Sequence, residues 1–346
     1  MGNTKLRPWL IDVPVAVNFF VRPDTFDKVF NVIKEVRPRQ LFLIADGPRT
    51  GNPDDIEKCK KCREIAENID WDCEVYRFYN EKNKGLFHTY FDSMTEVFKI
   101  VDRCIFLEDD VIADQSFFQY CKYLLDKYAQ DNRISFVTGI NYMPGGVHKD
   151  VDSDYFFSGE GALQAYGLWR RTFQNMRMDF LSSKYSVKSL KELAKKIKPG
   201  YEKRIKKYEN NILWQGHLPH VEVHKNLSRL LYWQLCIVPK YNLVTNIGLS
   251  TDSTHSADTL NKIPRAKWCI YNTPVHKMQF PMMDPKFMIC DVAYEKEMDR
   301  IQAWDRPFLA ACRRIEAIIR HLLHGDSKRV LEKIKQVVTG KYIFDE

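Results

Sequence analysis

The sequence predicts an α/β fold, a mostly parallel sheet flanked by helices. Three observations predict it. Short apolar, β-rich runs alternate with segments of helical periodicity through the first third of the chain. The connections between runs are long enough to hold helices, which makes successive strands parallel. Polar residues gather at the exits of the runs, where an open α/β sheet binds its ligands.

The elements follow in order. Residues 13–20 form an apolar run and a first strand, broken by Arg22-Pro23-Asp24-Thr25. Asp24 or Thr25 can cap a helix over 26–36, where Phe26, Val29, Phe30 and Ile33 recur at helical spacing. Residues 40–45 make a second strand that ends in Asp46-Gly47-Pro48-Arg49. A helix over about 54–69, a strand over 73–78, a turn over 80–85 and a helix over about 86–101 continue the pattern. A strand from Arg103 then runs into Glu108-Asp109-Asp110. Asp114 and Ser116 cap a helix over 117–129, and residues 134–138 form another strand. Tyr155-Phe-Phe-Ser158 and a Gly-Glu-Gly turn precede an apolar stretch to Trp169. Later elements are a helix over about 227–238, a short strand and turn over 242–249, and a polar loop over 250–255. Amphipathic helices are expected over 308–323 and 327–338. These last two either pack on the main domain or lie on a membrane surface.

The chain has 346 residues, is 45% hydrophobic and 28% charged, and so can bury a sizeable core. No apolar run approaches the length of a membrane span, and residues 1–8 contain no apolar signal core. The nine cysteines are scattered and odd in number, which fits a reducing compartment. The expected setting is the cytoplasm, with peripheral contact at the inner face of the cell membrane. Cys59 and Cys62 lack a second pair at zinc spacing and read as a coincidence on a helix. The net charge is +8, and residues 184–207 hold ten Lys/Arg against Glu192 and Glu202. That basic stretch is either a solvated helical face or a contact for anionic lipid or a phosphorylated acceptor. Nucleic acid is not expected, because no nucleic-acid signature accompanies the charge.

The acids at 108–110 carry the chemistry. Three carboxylates at the end of a buried strand need a cation or hydrogen-bond donors. A hard divalent metal with a phosphorylated ligand meets that need. An acidic helix start is the plainer alternative. The histidines at 217, 220 and 224 resemble a metal trio, but Pro219 breaks any helix through them, and a polar loop fits better.

Five motifs bring the chain close to a known family. They are Arg22-Pro23-Asp24-Thr25 after a strand; Ala45-Asp46-Gly47-Pro48-Arg49; Asn80 to Gly85, including Asn83; Leu107-Glu108-Asp109-Asp110 followed by Phe117-Phe118; and Asn242 to Gly248 followed by Asp252, Thr254 and His255. The set resembles nucleotide-sugar glycosyltransferases of the GT-A fold, in particular bacterial enzymes related to N-acetylglucosaminyltransferase I. The likeness covers roughly residues 13–290. It implies a GT-A domain over 10–290, with a basic insertion at about 180–226, and a helical extension over 291–346.

The resemblance also implies roles. Asp46 would hydrogen-bond the base, uracil, with Arg22 and Asn83 beside the nucleotide. Glu108 and Asp109 would approach the ribose or donor sugar. Asp110 would hold Mn²⁺ or Mg²⁺ on the diphosphate, and His255 would bind the metal or a phosphate oxygen. The expected partners are a UDP-sugar donor and a glycan or lipid-linked acceptor, in bacterial surface polysaccharide assembly (capsule or lipopolysaccharide), with inversion at the sugar.

One departure concerns the general base. Where the family has an Asp, at the start of a later helix, this chain has Tyr232 in Leu231-Tyr232-Trp233-Gln234. A phenol with a reference pKa of about 10 is a poor base at neutral pH. Glu160 and Glu222 are the candidate replacements. The family's Trp-Gly-Trp is also altered, to Gln164-Ala165-Tyr166-Gly167. A nucleotide-sugar-binding protein derived from such an enzyme is therefore a second reading. A sugar-phosphate nucleotidyltransferase is a third, although Arg22-Pro23 stands where its Gly-rich phosphate loop would be.

Overall fold

The computed structural model describes residues 6–180, 187–197, 202, 225, 228–249, 259–271, 273–303, 306–327, 330 and 331. The first half alternates as expected. It runs β1 (Val15–Phe19), α1 (Pro23–Val36), β2 (Gln40–Ala45), α2 (Pro53–Ala66), β3 (Glu74–Tyr79), α3 (Gly85–Ile100) and β4 (Arg103–Glu108). These four strands are mutually parallel, in the order β3-β2-β1-β4. β1, β2 and β4 are buried along nearly their whole length, which explains their continuous apolar sequences.

Helix α1 shows how the sequence sets this geometry. Pro23 starts it, at a position where the missing N–H costs nothing. Phe26, Val29, Phe30, Ile33 and Val36 form its buried stripe. Phe26 stacks on Phe19 at the end of β1, with ring centroids 4.3 Å apart. That contact fixes the turn between them, and truncating Phe26 to Ala would cost about 3–5 kcal/mol.

After β4 the chain turns at Asp109-Asp110 into the short β5 (Val111–Ala113), then α4 (Gln115–Lys127). The Asp114 carboxylate caps α4 by accepting from Ser116 N at 2.8 Å. The remaining sheet strands are β6 (Ile134–Thr138), β7 (Tyr155–Ser158), β8 (Ala165–Trp169) and β9 (Leu235–Pro239). The full order is β3-β2-β1-β4-β8-β6-β9-β7. β8 runs antiparallel to both β4 and β6, and β7 antiparallel to β9. The sheet is thus mixed, mostly parallel and flanked by helices, a Rossmann-like arrangement. β10 (Val244–Asn246) pairs with β5 in a separate antiparallel ribbon.

Helix α5 (Arg170–Phe180) precedes the basic stretch, and α6 (Val187–Ile197) lies within it. Helices α7 (Val292–Gln302) and α8 (Pro307–Leu323) follow the sheet. Of the helix expected over 327–338, only 327, 330 and 331 are described. Among the described residues no helix is long and apolar enough to cross a membrane.

One sequence expectation is corrected here. The helix expected over 227–238 ends before Tyr232, and Leu235-Cys-Ile-Val-Pro239 is a buried sheet strand. A short apolar run has no periodicity of its own. Here pairing with β6 and β7 on both sides decides its conformation. Cys59 and Cys62 face inward on α2 and are packed, and burial pushes the Cys62 thiol up to about 12. All nine cysteines are free thiols.

Candidate active site

The strand order contains a switch point. β1 has β2 on one side and β4 on the other, so successive crossovers leave β1 in opposite directions. The crevice beyond the C-terminal ends of two such strands is where open α/β sheets bind ligands. The chain puts Arg22 after β1 and Asp109-Asp110 after β4, all at that crevice. Helix α1 also begins there, so its N-terminal, positive end faces the same space.

Asp109 and Asp110 are each only 8% exposed. Asp109 Oδ2 accepts the backbone N–H of Phe20 at 3.0 Å. Arg22 Nη1 lies 2.7 Å from Asp110 Oδ2 and 3.6 Å from Asp109 Oδ1. From the other side, Asn246 Nδ2 donates to Asp110 Oδ1 at 3.2 Å, and Ile247 N donates to the Asp110 carbonyl at 2.8 Å. Gly248 N in turn donates to Asn246 Oδ1 at 2.8 Å. Gly248 has to be glycine, because a Cβ there would collide with the Asp110 carboxylate. The β5–β10 ribbon therefore exists, in effect, to hold Asp110.

The electrostatics are those of a site short of positive charge. Burial pushes the Asp109 carboxyl well above the usual range, and the neighbouring Asp110 charge adds to it. Burial raises Asp110 as well, with Arg22 and Asn246 opposing. Two carboxyl groups face one guanidinium, so the pair is fully ionised only at a cost that a cation would relieve. The donors are hard oxygens, which suit Mn²⁺ or Mg²⁺. Among the described residues no group of three or more His, Cys, Asp or Glu is arranged to hold a metal. A divalent ion here would complete its shell with ligand phosphates and water, as Mg²⁺-type ions commonly do, so the residues present fit it.

A second cluster lies at the end of β2. Asp46 accepts from Gly47 N (2.9 Å), Asn80 Nδ2 (3.1 Å), Lys84 N (3.0 Å) and Gly85 N (3.0 Å). Asn83 Nδ2 donates to the Gly47 carbonyl at 3.1 Å, and its Oδ1 accepts from Gly85 N at 3.1 Å. Gly47 permits this clasp, since a Cβ there would lie 2.5 Å from the Lys82 backbone. Asp46 and Asn83 thus anchor the turn that starts α3.

Glu108 ends β4 opposite Asn18 and is half-buried, and its charge helps raise the Tyr90 phenol after burial and Tyr166. Glu160 is elsewhere. Cys236 Sγ contacts the Glu160 carbonyl at 3.0 Å, and Cys236 sits level with Phe136, Leu168 and Cys104 across the sheet. From Cys104 to Asp109 is five residues along β4, and from β9 to β4 is three strand spacings. The separation is therefore on the order of 20 Å. The Glu160 carboxylate instead faces buried Arg229, 3.9 Å away.

Tyr232 lies just before β9, at the end of the sheet opposite the acid pair. The stretch likened to a helix start instead leads into a strand, so it does not place a base beside the acids. His255 and Glu222 lie outside the described residues, as do His217, His220 and His224. Sequence reading missed Asn246 and the Phe20 N–H as partners of the acids. Asn246 lay within the fifth motif, so an Asn-x-Gly turn after a strand was the available signal. The Phe20 N–H has no side-chain signature.

No protein-family model matches the chain, and no curated protein sequence matches it. Among solved structures it is similar to 4-diphosphocytidyl-2C-methyl-D-erythritol synthase from Anaerococcus prevotii DSM 20548. The identity is 11%, the match covers 51% of this chain and 79% of that one, and the TM-score is 0.31. A likeness that loose carries no weight for activity.

Proposed function

We propose that the chain is a metal-dependent glycosyltransferase that moves a sugar from a UDP-sugar to a glycan or lipid-linked acceptor in surface polysaccharide assembly. The observation that carries this reading is the buried Asp109–Asp110 pair with Arg22 at the β1–β4 switch point. Such a crevice suits a nucleotide, and such a charge balance suits a cation bound to a diphosphate.

In this reading Asp110 would hold Mn²⁺ or Mg²⁺, with Asp109 beside it in the chain. When bound, the metal supplies charge neutralisation for the leaving nucleoside diphosphate. Arg22 adds a fixed positive charge beside the same diphosphate. Asn246 and the Phe20 N–H keep the two carboxylates oriented. Asp46, which accepts from Gly85 N with Asn83 at the start of α3, would meet the base, and Asn83 would lie beside the nucleotide. Glu108 would approach the ribose or donor sugar, His255 would bind the metal or a phosphate oxygen, and Glu222 is assigned to the acceptor.

The test is UDP release from UDP-sugars with Mn²⁺ present. Asp110→Ala is expected to lower release by about 10²-fold or more. Release unaffected by the substitution contradicts the metal assignment. Pyrophosphate as the product would mark nucleotidyl transfer instead, and nucleotide binding with no turnover would mark a binding protein.

A further inference from the structure

Arg49 lies just past β2, and its guanidinium is held in one place. Nε donates to Asp55 Oδ2 at 2.7 Å and Nη2 to Asp55 Oδ1 at 2.8 Å, a two-pronged bond. The same carboxylate accepts from Arg49 N at 3.1 Å and from Asn52 Nδ2 at 3.0 Å. Asp55 is 1% exposed in the first turn of α2, so the anchor itself is fixed. Held this way, the guanidinium lies over the Phe20 ring, 5.5 Å from its centroid.

Phe20 puts that guanidinium at the crevice. It is the first residue past β1, and its N–H donates to Asp109 Oδ2 at 3.0 Å. Arg49 therefore reaches from the β2 exit over the β1 exit, at the switch point where a ligand binds. With Phe20 and Asp55 against it, 39% of the Arg49 side chain is still exposed.

Charge and position together select what it meets. Asp55 offsets the charge of Arg49, so the side chain offers a flat, delocalised plane more than a net cation. The cation that faces the acid pair is Arg22, 2.7 Å from Asp110. Arg49 stands on the other side, at the β2 exit, and β2 and β4 are two strand spacings apart, on the order of 10 Å. An extended nucleotide holds its base away from its diphosphate by a distance of that order. A guanidinium plane is a surface on which bases stack.

We infer that Arg49 is the platform on which the nucleobase stacks, with Asp55 as its positioning residue. The crevice then takes a nucleoside diphosphate in preference to a bare diphosphate. This inference rests on the nucleotide reading of the β1–β4 crevice.

The experiment is calorimetric titration of UDP, and separately of inorganic pyrophosphate, into the full chain with Mn²⁺ present. Arg49→Lys keeps a cation beside buried Asp55 but loses the plane. It is expected to bind UDP about tenfold more weakly and pyrophosphate as wild type does. Arg49→Gln/Asp55→Asn removes both charges together, so no buried acid is left unpaired, and the same pattern is expected. Melting temperatures check that both variants fold. Wild-type affinity for UDP in Arg49→Lys overturns the inference. Equal weakening for UDP and pyrophosphate overturns it too, because it would make Arg49 a phosphate contact. Asp110→Ala is expected to weaken both probes and separates the two levels of the account. UDP binding that Asp110→Ala weakens and Arg49→Lys does not would overturn the platform alone. Wild type that does not bind UDP overturns the nucleotide reading and the platform with it.

Discussion

Arg22 Nη1 sits 2.7 Å from Asp110 Oδ2, with both side chains largely buried. The two residues are 88 positions apart in sequence. They meet because β1 and β4 are neighbours and each carries its polar residues just past its C-terminal end. Arg22 therefore compensates part of the charge of an acid pair that burial makes costly. Arg22→Ala should lower stability by about 3–5 kcal/mol, since it leaves two buried carboxylates without a counterion. Urea denaturation measures this. Added Mn²⁺ should recover more stability in the variant than in wild type.

Asp110→Asn should behave differently. It removes one of two repelling buried charges and leaves Arg22 to balance Asp109. Stability without metal should be unchanged, or about 1 kcal/mol higher. The metal-dependent rise in melting temperature should disappear. Thermal melts with and without Mn²⁺ read both effects.

Asp46→Ala should loosen the start of α3. It removes the acceptor for two consecutive backbone N–H groups and for Asn80. The expected cost is about 2–3 kcal/mol. In the proposed reaction KM for the donor should rise more than kcat falls. A steady-state donor titration separates the two.

Gly248→Ala should disrupt the acid pair with little effect on the main sheet. Its new Cβ would meet the Asp110 carboxylate, which Asn246 and Arg22 also hold. Metal-dependent UDP release should fall about tenfold or more, because a 1 Å misplacement at a site is costly. Far-ultraviolet circular dichroism should stay unchanged.

Asp55 gives a pH dependence. Hydrogen bonds from the Arg49 guanidinium hold its carboxyl below the usual range, although burial opposes them. The folded value is lower than the unfolded one of about 3.9. Its stabilisation is therefore complete above that unfolded value and is lost as pH falls through the folded one. Asp55→Asn should flatten the acid limb of the stability curve below about pH 4.

Much of the first half of the chain was legible in the sequence. The first four strands and three helices follow from apolar runs and from the Phe26, Val29, Phe30, Ile33 stripe, because each is a local pattern. Arg22, Asp109 and Asp110 were legible because strand exits in a parallel sheet share one edge. The far half was not. Leu235-Cys-Ile-Val-Pro239 becomes a strand only through partners contributed by residues 134–138 and 155–158. Glu160 follows a Gly in a turn that looked catalytic, yet β7 runs antiparallel to β9 and delivers that turn to the wrong end of the sheet. Asp46 was legible as a polar strand exit, whereas its bonds to the backbone of residues 84–85 have no side-chain pattern that shows them. Helix α8 was correctly periodic, but periodicity does not say which face meets the protein.

The most direct measurement is calorimetric titration of UDP into the wild-type chain and Asp110→Ala, each with and without Mn²⁺. The account expects wild type with Mn²⁺ to bind at least about tenfold more tightly than the other three combinations, a difference of roughly 1.4 kcal/mol. Equal affinity in all four would contradict a metal–diphosphate site at Asp110.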